Sequence, residues 1–198
     1  MKILVSEFIS LDGVVQAPGG TDEDTSGGFR HGGWSNPYFD PEVMGSAIFE
    51  LVEQSEAMLQ GRLTYEVGAA AWPERTDDDD PFSTLMNSQR KYVVSDTLSD
   101  DDLSWQPATI IRNADLLAKV AELRERPGGY LSVTGSASIA RALLEADLVD
   151  ELALAIEPIV LGGGKTIYTN DGRARPFELV STVTAKTGVL FCRYRRAR

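Results

Sequence analysis

The feature that most constrains the fold is a glycine corner in the stretch LSVTGSASIARALL, residues 131–144. A short apolar run ends at Gly135, and apolar residues then recur at the spacing of a buried helical face. A strand that turns directly into a helix leaves unpaired backbone N–H groups at one point, with the positive end of the helix dipole behind them. Phosphate is a common ligand of such a point. The stretch therefore predicts either a dinucleotide pyrophosphate site or a plain turn with Ser136 as the helix N-cap.

Length and composition indicate one globular domain spanning residues 1–198, with 42% hydrophobic and 25% charged residues. No apolar run reaches the ~20 residues that a membrane-spanning helix needs. The first residues read as a strand and not as a signal peptide, so we expect a cytoplasmic location. The single cysteine, Cys192, excludes an internal disulfide and a cysteine-clustered metal site, and we expect no metal.

The formal net charge of −11 argues against a nucleic-acid partner, which needs clustered Lys and Arg. Acidic runs at residues 77–80 and 100–102 are expected in solvated loops, and the arginines near the C-terminus in an exposed strand end. We expect a small-molecule ligand and no membrane partner. An anionic ligand needs local donors, because the field of the whole chain repels it.

The first third of the chain predicts a strand, a long loop and a second glycine corner. Residues 2–9 read as an internal strand, and the glycine-rich stretch that follows is long enough to be a lid or binding loop. It contains the single histidine, His31, which we expect to be exposed. Asp40-Pro41 predicts a helix start, with the acid as N-cap. A short apolar run then ends at Gly61, where a helix again begins at once.

Strand and helix patterns alternate through the rest of the chain. We predict a short helix within residues 81–90, strands at 91–95 and 108–111, a helix at 114–124 with Asn113 as N-cap, a long strand within 148–161, and paired strands at 177–185 and 189–194. This order predicts an α/β fold with a mostly parallel sheet covered on both faces and an antiparallel C-terminal hairpin. Ligands of such sheets bind beyond the carboxyl ends of the strands. Gly61, Ser95 and Gly135 are therefore expected to converge on one crevice.

Common catalytic motifs are absent from the sequence. The GGGKT stretch at residues 162–166 is not a P-loop, because Ile159 stands where that motif has its first glycine and no helical pattern follows. No GxGxxG follows a strand, and neither GxSxG nor HExxH occurs.

Several segments in order resemble a known family: ISLDG at residues 9–13, GRLTYE at 61–66, YVVSDTL at 92–98, GSAS at 135–138, LVDEL at 148–152 and PIVLGGGK at 158–165. Together they resemble the dihydrofolate reductase superfamily, in the branch of the reductase domain of riboflavin-biosynthesis proteins (the RibD C-terminal domain). The resemblance runs from Lys2 to Tyr194. It implies a three-layer α/β/α domain that binds NADPH across the carboxyl edge of its sheet.

The resemblance also implies roles for individual residues toward the cofactor. It implies that Gly61, Arg62 and Thr64 bind a phosphate near the adenosine end of the cofactor. It also implies that Ser95 contacts the 2′-phosphate or the ribose. The pyrophosphate would be bound where the central strand turns into a helix, by Gly135, Ser136, Ala137 and Ser138. The loop from Val14 to Gln16 would lie near the nicotinamide. Asp96 follows Ser95 where relatives often carry a basic residue, so NADH stays open beside NADPH.

On the substrate side, the resemblance points to Trp34 as a substrate-binding residue and to Asp40, which follows it as the pterin-binding acid of dihydrofolate reductases follows a tryptophan. Asp12 is a second candidate. Each has a plain alternative, because Asp40 also fits as an N-cap and Asp12 as part of an Asp-Gly turn.

The resemblance implies a reductase that acts on a pterin or aminopyrimidine substrate. Two other classes stay open, namely a module of the same fold that binds a nucleotide without reducing anything, and a structural protein whose glycine corners are only turns. The strand at 152–161 and the C-terminal hairpin are compatible with a homodimer, and an internal strand explains them equally well.

Overall fold

Eight strands form one sheet in the computed structural model, which describes residues 1–75 and 80–197. The order across the sheet is β4-β3-β2-β5-β1-β6-β8-β7. The strands are β1 (Lys2–Ser10), β2 (Ser55–Gly61), β3 (Arg90–Val94), β4 (Ala108–Ile111), β5 (Tyr130–Val133), β6 (Glu151–Glu157), β7 (Phe177–Thr184) and β8 (Leu190–Arg196).

The strands from β4 to β6 in this order are parallel to their neighbours, and β8 is antiparallel to both β6 and β7. The hairpin between β7 and β8 turns through Gly188, whose φ of +90° favours glycine. The predicted mixed sheet, mostly parallel with an antiparallel C-terminal hairpin, is confirmed.

Within the part of the chain that the structure describes, five α-helices cover the two faces of the sheet: α1 (Ser46–Glu53), α2 (Arg62–Ala71), α3 (Pro81–Ser88), α4 (Leu116–Arg124) and α5 (Ala137–Glu145). Alternation along β1 shows the layering, because Ile3 and Val5 pack with α4 and α5 while Leu4 packs with α1. The result is the three-layer α/β/α arrangement that the sequence predicted.

Some element boundaries differ from the sequence prediction. The long strand predicted at 148–161 is shorter, because β6 ends at Glu157 and Pro158 offers no N–H to a ladder. Asn113 does not cap α4, and instead begins a 3-10 turn, Asn113–Asp115. The helix start at Asp40 is confirmed: its Oδ1 accepts hydrogen bonds from the N–H groups of Glu42 and Val43. A π-helical turn, Pro41–Gly45, then precedes α1.

The charged segments lie at the surface where they are described. Asp100–Asp102 is an exposed 3-10 turn, and residues 77–79 of the other acidic run lie outside the described residues. The C-terminal arginines up to Arg196 belong to β8. Within the described ranges, the helices are too short and too polar to cross a bilayer.

Gly68 on α2 allows the helix to pack against the buried indole of Trp105. A Cβ at Gly68 would lie 2.6 Å from Cζ3 of that ring. The ring cannot move aside easily, because its Nε1 donates a 2.7 Å hydrogen bond to Asn87 Oδ1 and the Lys91 Nζ lies 4.2 Å from its centroid. The close approach of α2 to this cluster therefore depends on the glycine.

We expect Gly68→Ala to lower the free energy of unfolding by about 1–3 kcal/mol, because overpacking outweighs the helical preference of alanine. Gly45 is the matched control, since its φ is −59° and a Cβ there would meet nothing within 4 Å. Gly45→Ala should stabilise the protein by about 0.5–1 kcal/mol. Urea denaturation of both variants measures the difference, and equal stability would contradict the packing argument.

Candidate active site

A cavity of about 1420 Å³ opens at the carboxyl edge of the parallel strands. Its wall includes most of the residues that the sequence assigned to cofactor binding: Gln16, Gly61, Arg62, Thr64, Gly135, Ser136, Ala137 and Ser138. Asp12, Val14, Trp34, Asp40 and Ser95 are not part of this wall. The structure therefore brings together the residues of the two glycine corners and Gln16.

The two glycine corners are in direct contact. The N–H of Gly61 donates a 3.2 Å hydrogen bond to the carbonyl of Gly135. A Cβ at Gly61 would lie 2.7 Å from Ser136 Oγ, and a Cβ at Gly135 would lie 2.8 Å from Thr64 Oγ1. The φ of Gly135 is +109°, which only glycine adopts without strain. Both glycines are therefore required for α2 and α5 to begin side by side.

The N-termini of α2 and α5 lack compensating charge among the described residues. Neither helix has a side-chain cap or an acidic residue in its first turn. Ser136 occupies the N-cap position, but its Oγ contacts Ser138 Oγ at 2.8 Å and caps no backbone N–H. The free N–H groups and the positive ends of two helix dipoles meet on the cavity wall, which makes this wall suited to an anion.

Arg62 adds a partly exposed positive charge beside this pair of helices. Its Nη1 lies 2.9 Å from Glu66 Oε2 one turn along α2, and both side chains are about two-fifths exposed at 43% and 42%. An exposed pair of this kind is weak. The guanidinium can therefore exchange Glu66 for a phosphate at little cost.

Ser95 lies at the same edge of the sheet but turns away from the cavity. It follows β3, the neighbour of β2, and its Oγ accepts hydrogen bonds from the N–H groups of Thr97 and Leu98 at 3.1 and 3.0 Å. Asn113 lines the cavity at this end, and its Nδ2 donates to Asp96 Oδ2 at 2.7 Å. Hydrogen bonds from Asn113 lower the pKa of Asp96.

Gln16 organises the loop that follows β1. Its Nε2 donates to the carbonyls of Asp24 and Ser26, and its Oε1 accepts from the N–H of Lys165, each at 3.0 Å. Trp34 is buried, and its Nε1 donates to the carbonyl of Gln16 at 2.8 Å. The side chains of Gln16 and Trp34 thus hold the loop in shape. A smaller cavity of about 520 Å³ lies between this loop and residues 161–165 and includes the exposed His31.

Asp12 connects the same loop to the segment after β6. Its carboxylate accepts hydrogen bonds from Ser10 Oγ and from the N–H groups of Leu161 and Gly162. The hydrogen bonds from Ser10 and these amides lower its pKa to about 2. Val14 is buried nearby and bridges to Thr166. Asp12 is therefore anchored away from the main cavity.

The carboxylate of Asp40 also accepts hydrogen bonds from backbone N–H groups. Besides capping the helix, its Oδ2 accepts from the N–H of Lys186 at 3.3 Å. Backbone hydrogen bonds, chiefly from Val43, lower the pKa of Asp40. The structure thus places Asp12 and Asp40, the two acids proposed from the resemblance, at structural hydrogen bonds outside the cavity wall.

Two acids that each have a covered carboxyl oxygen escaped the sequence analysis. Burial raises the pKa of Glu7 on β1 to about 8 and that of Glu157 on β6 to about 7. Glu157 accepts a 2.5 Å hydrogen bond from Ser35 Oγ, while its Oε2 and the Oε1 of Glu7 have no partner among the described residues. Glu7 lines the main cavity and Glu157 does not. A glutamate inside the apolar run ILVSEFIS was the available signal for Glu7.

The fold and the paired helix N-termini define a dihydrofolate-reductase-like α/β protein. Residues 1–191 match the family model of the RibD C-terminal domain. The chain belongs to the RibD C-terminal domain family. The resemblance noted from the sequence is thereby confirmed.

Individual relatives agree with this assignment. The chain is 28% identical over 191 residues to the uncharacterized protein YyaP of Bacillus subtilis (strain 168), covering 96% of this chain and 92% of YyaP. Its fold is similar to that of a candidate riboflavin biosynthesis protein from Shewanella sp. PV-4, with a TM-score of 0.74, 20% identity and all of both chains covered. It is also similar to dihydrofolate reductase from Enterococcus faecalis complexed with NADP(H), with a TM-score of 0.61, 14% identity, and 100% and 97% of the two chains covered.

The two raised acid pKa values predict how stability depends on pH. Glu7 and Glu157 bind protons more tightly in the folded state than in the unfolded chain, so their protonation stabilises the folded protein. This contribution to the free energy of unfolding is complete below the unfolded pKa of ~4.3. It is lost as the pH rises through about 7 and about 8, the folded pKa values of Glu157 and Glu7. We expect the free energy of unfolding to fall across this range, as measured by urea denaturation from pH 4.5 to 9.

The double variant Glu7→Gln/Glu157→Gln is the control for this prediction. Its side chains do not titrate, so its stability should depend less on pH over the same range. An identical pH dependence in the two proteins would show that neither acid is protonated in the folded state.

Proposed function

We propose that this protein is a reductase that uses NADPH to reduce a small heterocyclic substrate of the pterin or aminopyrimidine type. The observation that carries the proposal is the pair of uncapped helix N-termini held in contact on the wall of one large cavity. Membership of the RibD C-terminal domain family supports it, as does the likeness to a dihydrofolate reductase whose structure contains NADP(H).

The corner residues fit the phosphates of a dinucleotide. The absence of a Cβ at Gly61 and Gly135 keeps the backbone open to close approach, and the first-turn N–H groups of α5 would hold the pyrophosphate. Arg62 and Thr64 would hold a phosphate nearer the adenosine end. When bound, the dinucleotide supplies the hydride, and the protein orients the substrate against it.

Another part of the cavity wall, separate from the glycine corners, suits a flat heterocyclic substrate. Polar side chains lie on adjacent strands, where Gln60 Nε2 donates to Thr134 Oγ1 at 3.3 Å and Ser132 is buried beside them. The apolar side chains of the cavity come chiefly from α1, β1 and β2: Phe8, Ile48, Phe49, Val52 and Met58. Apolar walls with a few polar groups are typical of small-molecule sites.

The preference for NADPH over NADH rests on Arg62 and Asp96. Asp96 stands where it could repel a 2′-phosphate, but its carboxylate already accepts two hydrogen bonds from Asn113. Arg62 can provide a bidentate partner for a phosphate. The balance of charge therefore favours the phosphorylated cofactor.

A nucleotide-binding module without catalysis is the second candidate, because Asp12 and Asp40 are both occupied by structural hydrogen bonds. Assays on the purified protein distinguish the reductase from the nucleotide-binding module. NADPH oxidation in the presence of dihydrofolate or a ribityl-aminopyrimidine supports the reductase. Fluorescence-detected NADPH binding with no oxidation across this panel supports the module.

An acid in the first turn of α5 tests the proposed pyrophosphate site. We expect Ser138→Asp to weaken NADPH binding at least tenfold, because the carboxylate repels the pyrophosphate. The same change should leave the protein as stable as wild type, or more stable by about 0.3–1 kcal/mol, since an acid suits a helix N-terminus. Fluorescence titration with NADPH and thermal denaturation measure the two effects.

Leu117→Asp is the matched control, at the second residue of α4. Leu117 is 44% exposed and does not line the cavity. This variant should bind NADPH as wild type does. If the Ser138→Asp variant and wild type bind NADPH with equal affinity, the pyrophosphate does not bind at the N-terminus of α5.

Arg62→Ala tests the cofactor preference. We expect NADPH affinity to fall about tenfold, or ~1.4 kcal/mol, with little change for NADH, because one charge-assisted contact to phosphate is lost. Glu66→Gln is the control, since it releases Arg62 from its ion pair and should not weaken NADPH binding. A parallel loss for both cofactors in Arg62→Ala would show that Arg62 does not distinguish the 2′-phosphate.

A further inference from the structure

We propose that Glu7 is the proton donor of the reductase, acting from the wall of the cavity on the substrate atom next to the carbon that receives the hydride. The proposal rests on the proposed reductase function and concerns the same cavity. It assigns catalysis to a residue on β1, whereas the resemblance pointed to Asp40 and Asp12.

Glu7 lies at the level of the glycine corners. Val5 pairs with Val133 across β1 and β5, so Glu7 is two residues further along β1, where β5 turns through Gly135 into α5. Glu7 lines the same cavity as Gly135, Ser136 and Ile139. The carboxyl group therefore lines the cavity at the end of β1, one strand beyond the corner that we assign to the pyrophosphate and on the strand that leads into the Val14–Gln16 loop.

The environment of Glu7 provides no fixed partner. Its neighbours at the same face of β1, Val5 and Ile9, belong to the apolar core beneath α4 and α5. Leu154 pairs with Glu7 on β6. Its Oε1 is covered and accepts no hydrogen bond from any described residue. A covered carboxyl oxygen without a hydrogen-bond donor costs folding free energy, which indicates a role other than structural support.

The other acids of the cavity wall are already engaged or exposed. Glu23 Oε2 accepts hydrogen bonds from the N–H groups of Gly19 and Gly20, at 2.8 and 3.0 Å. Asp24 Oδ2 lies 2.5 Å from Lys165 Nζ. Asp22 is exposed to solvent. Of the acids described in this wall, Glu7 alone combines a covered carboxyl oxygen with the absence of a hydrogen-bond donor.

The protonation state of Glu7 suits a donor at neutral pH. Burial, with a smaller contribution from the negative charge of Glu23, raises the pKa of Glu7 to about 8. The cations described in the wall are Arg62, Arg75 and Lys165. Arg62 is paired with Glu66 and Lys165 with Asp24, and the guanidinium of Arg75 lies over the ring of Trp72. The residues of β5, β6 and α5 around Glu7 are apolar, namely Val133, Leu154 and Ile139. The acid form therefore predominates at pH 7.

The proposed step balances as a reduction of a C=N bond. The carbon receives a hydride from the nicotinamide, which is oxidised, and the C=N π electrons become a lone pair on nitrogen. The nitrogen takes the proton of Glu7, and Glu7 is left as a carboxylate. A proton from solvent restores the acid before the next turnover.

The first experiment measures Glu7 directly, without a substrate. Protein labelled with ¹³C at the glutamate carboxyl is titrated by NMR, and the Glu7 resonance is assigned by its loss in Glu7→Gln. We expect a titration midpoint of about 8. Saturation with NADP⁺ should lower that midpoint, because the cationic nicotinamide stabilises a nearby carboxylate, while the midpoint of Glu157 should not move.

The second experiment measures turnover with NADPH and a panel containing dihydrofolate and a ribityl-aminopyrimidine. Glu7→Gln should lower kcat by about 10²–10⁴-fold, the usual contribution of a general acid, and leave NADPH affinity within about twofold of wild type. Wild-type kcat should fall above pH 8 or so, and the Glu7→Gln variant should lack that limb. Glu7→Asp should recover part of the activity, and Glu157→Gln, the buried acid outside the cavity, should behave as wild type.

The outcomes separate this proposal from the proposed function. If wild type binds neither NADP⁺ nor NADPH, both the proposed reductase function and the proposed role of Glu7 are wrong. NADP⁺ binding with an unchanged Glu7 midpoint, or full turnover by Glu7→Gln, overturns the proton donor alone. If no panel compound is reduced, a Glu7 midpoint that shifts on NADP⁺ binding still supports the proposal.

Discussion

The hydrogen bond from the N–H of Gly61 to the carbonyl of Gly135 is the contact on which the site depends. It joins the ends of two adjacent parallel strands, and each strand turns at once into a helix. Because a side chain at either glycine would collide with the opposite corner, the helices can begin side by side only with this pair of residues. The cavity wall and its concentration of free N–H groups follow from that contact.

The electrostatics of the site oppose those of the whole molecule. A chain of net charge −11 repels an anion, so attraction has to come from groups at short range. In the proposed site, two helix N-termini and Arg62 would provide that attraction. The nearby acids are paired with other groups: Glu23 accepts hydrogen bonds from backbone amides and Asp24 is paired with Lys165. Glu7 needs no partner of this kind, because its carboxyl group is neutral when protonated.

The sequence predicted those features that are encoded locally. A glycine between an apolar run and a helical pattern marks each corner, and alternation of strands and helices gives the order of the layers. Ser95 also lies at the expected edge, but the direction of its hydroxyl depends on the turn to Leu98, which no strand pattern encodes. Glu7 was overlooked because a single charge in a strand reads as solvent-facing, and its burial depends on neighbours more than a hundred residues away in β5 and β6.

The central place of β1 has a consequence for how the chain is made. β1 precedes the other strands of the sheet in the sequence, yet both of its neighbours lie far along the chain: β5 begins at Tyr130 and β6 at Glu151. During synthesis its apolar residues have no sheet to join, so the middle of the domain can close only when translation is nearly complete. A topology with such distant pairings folds slowly and exposes unpaired strand edges on the way. Nascent chains of this protein are accordingly expected to engage chaperones until β6 has emerged.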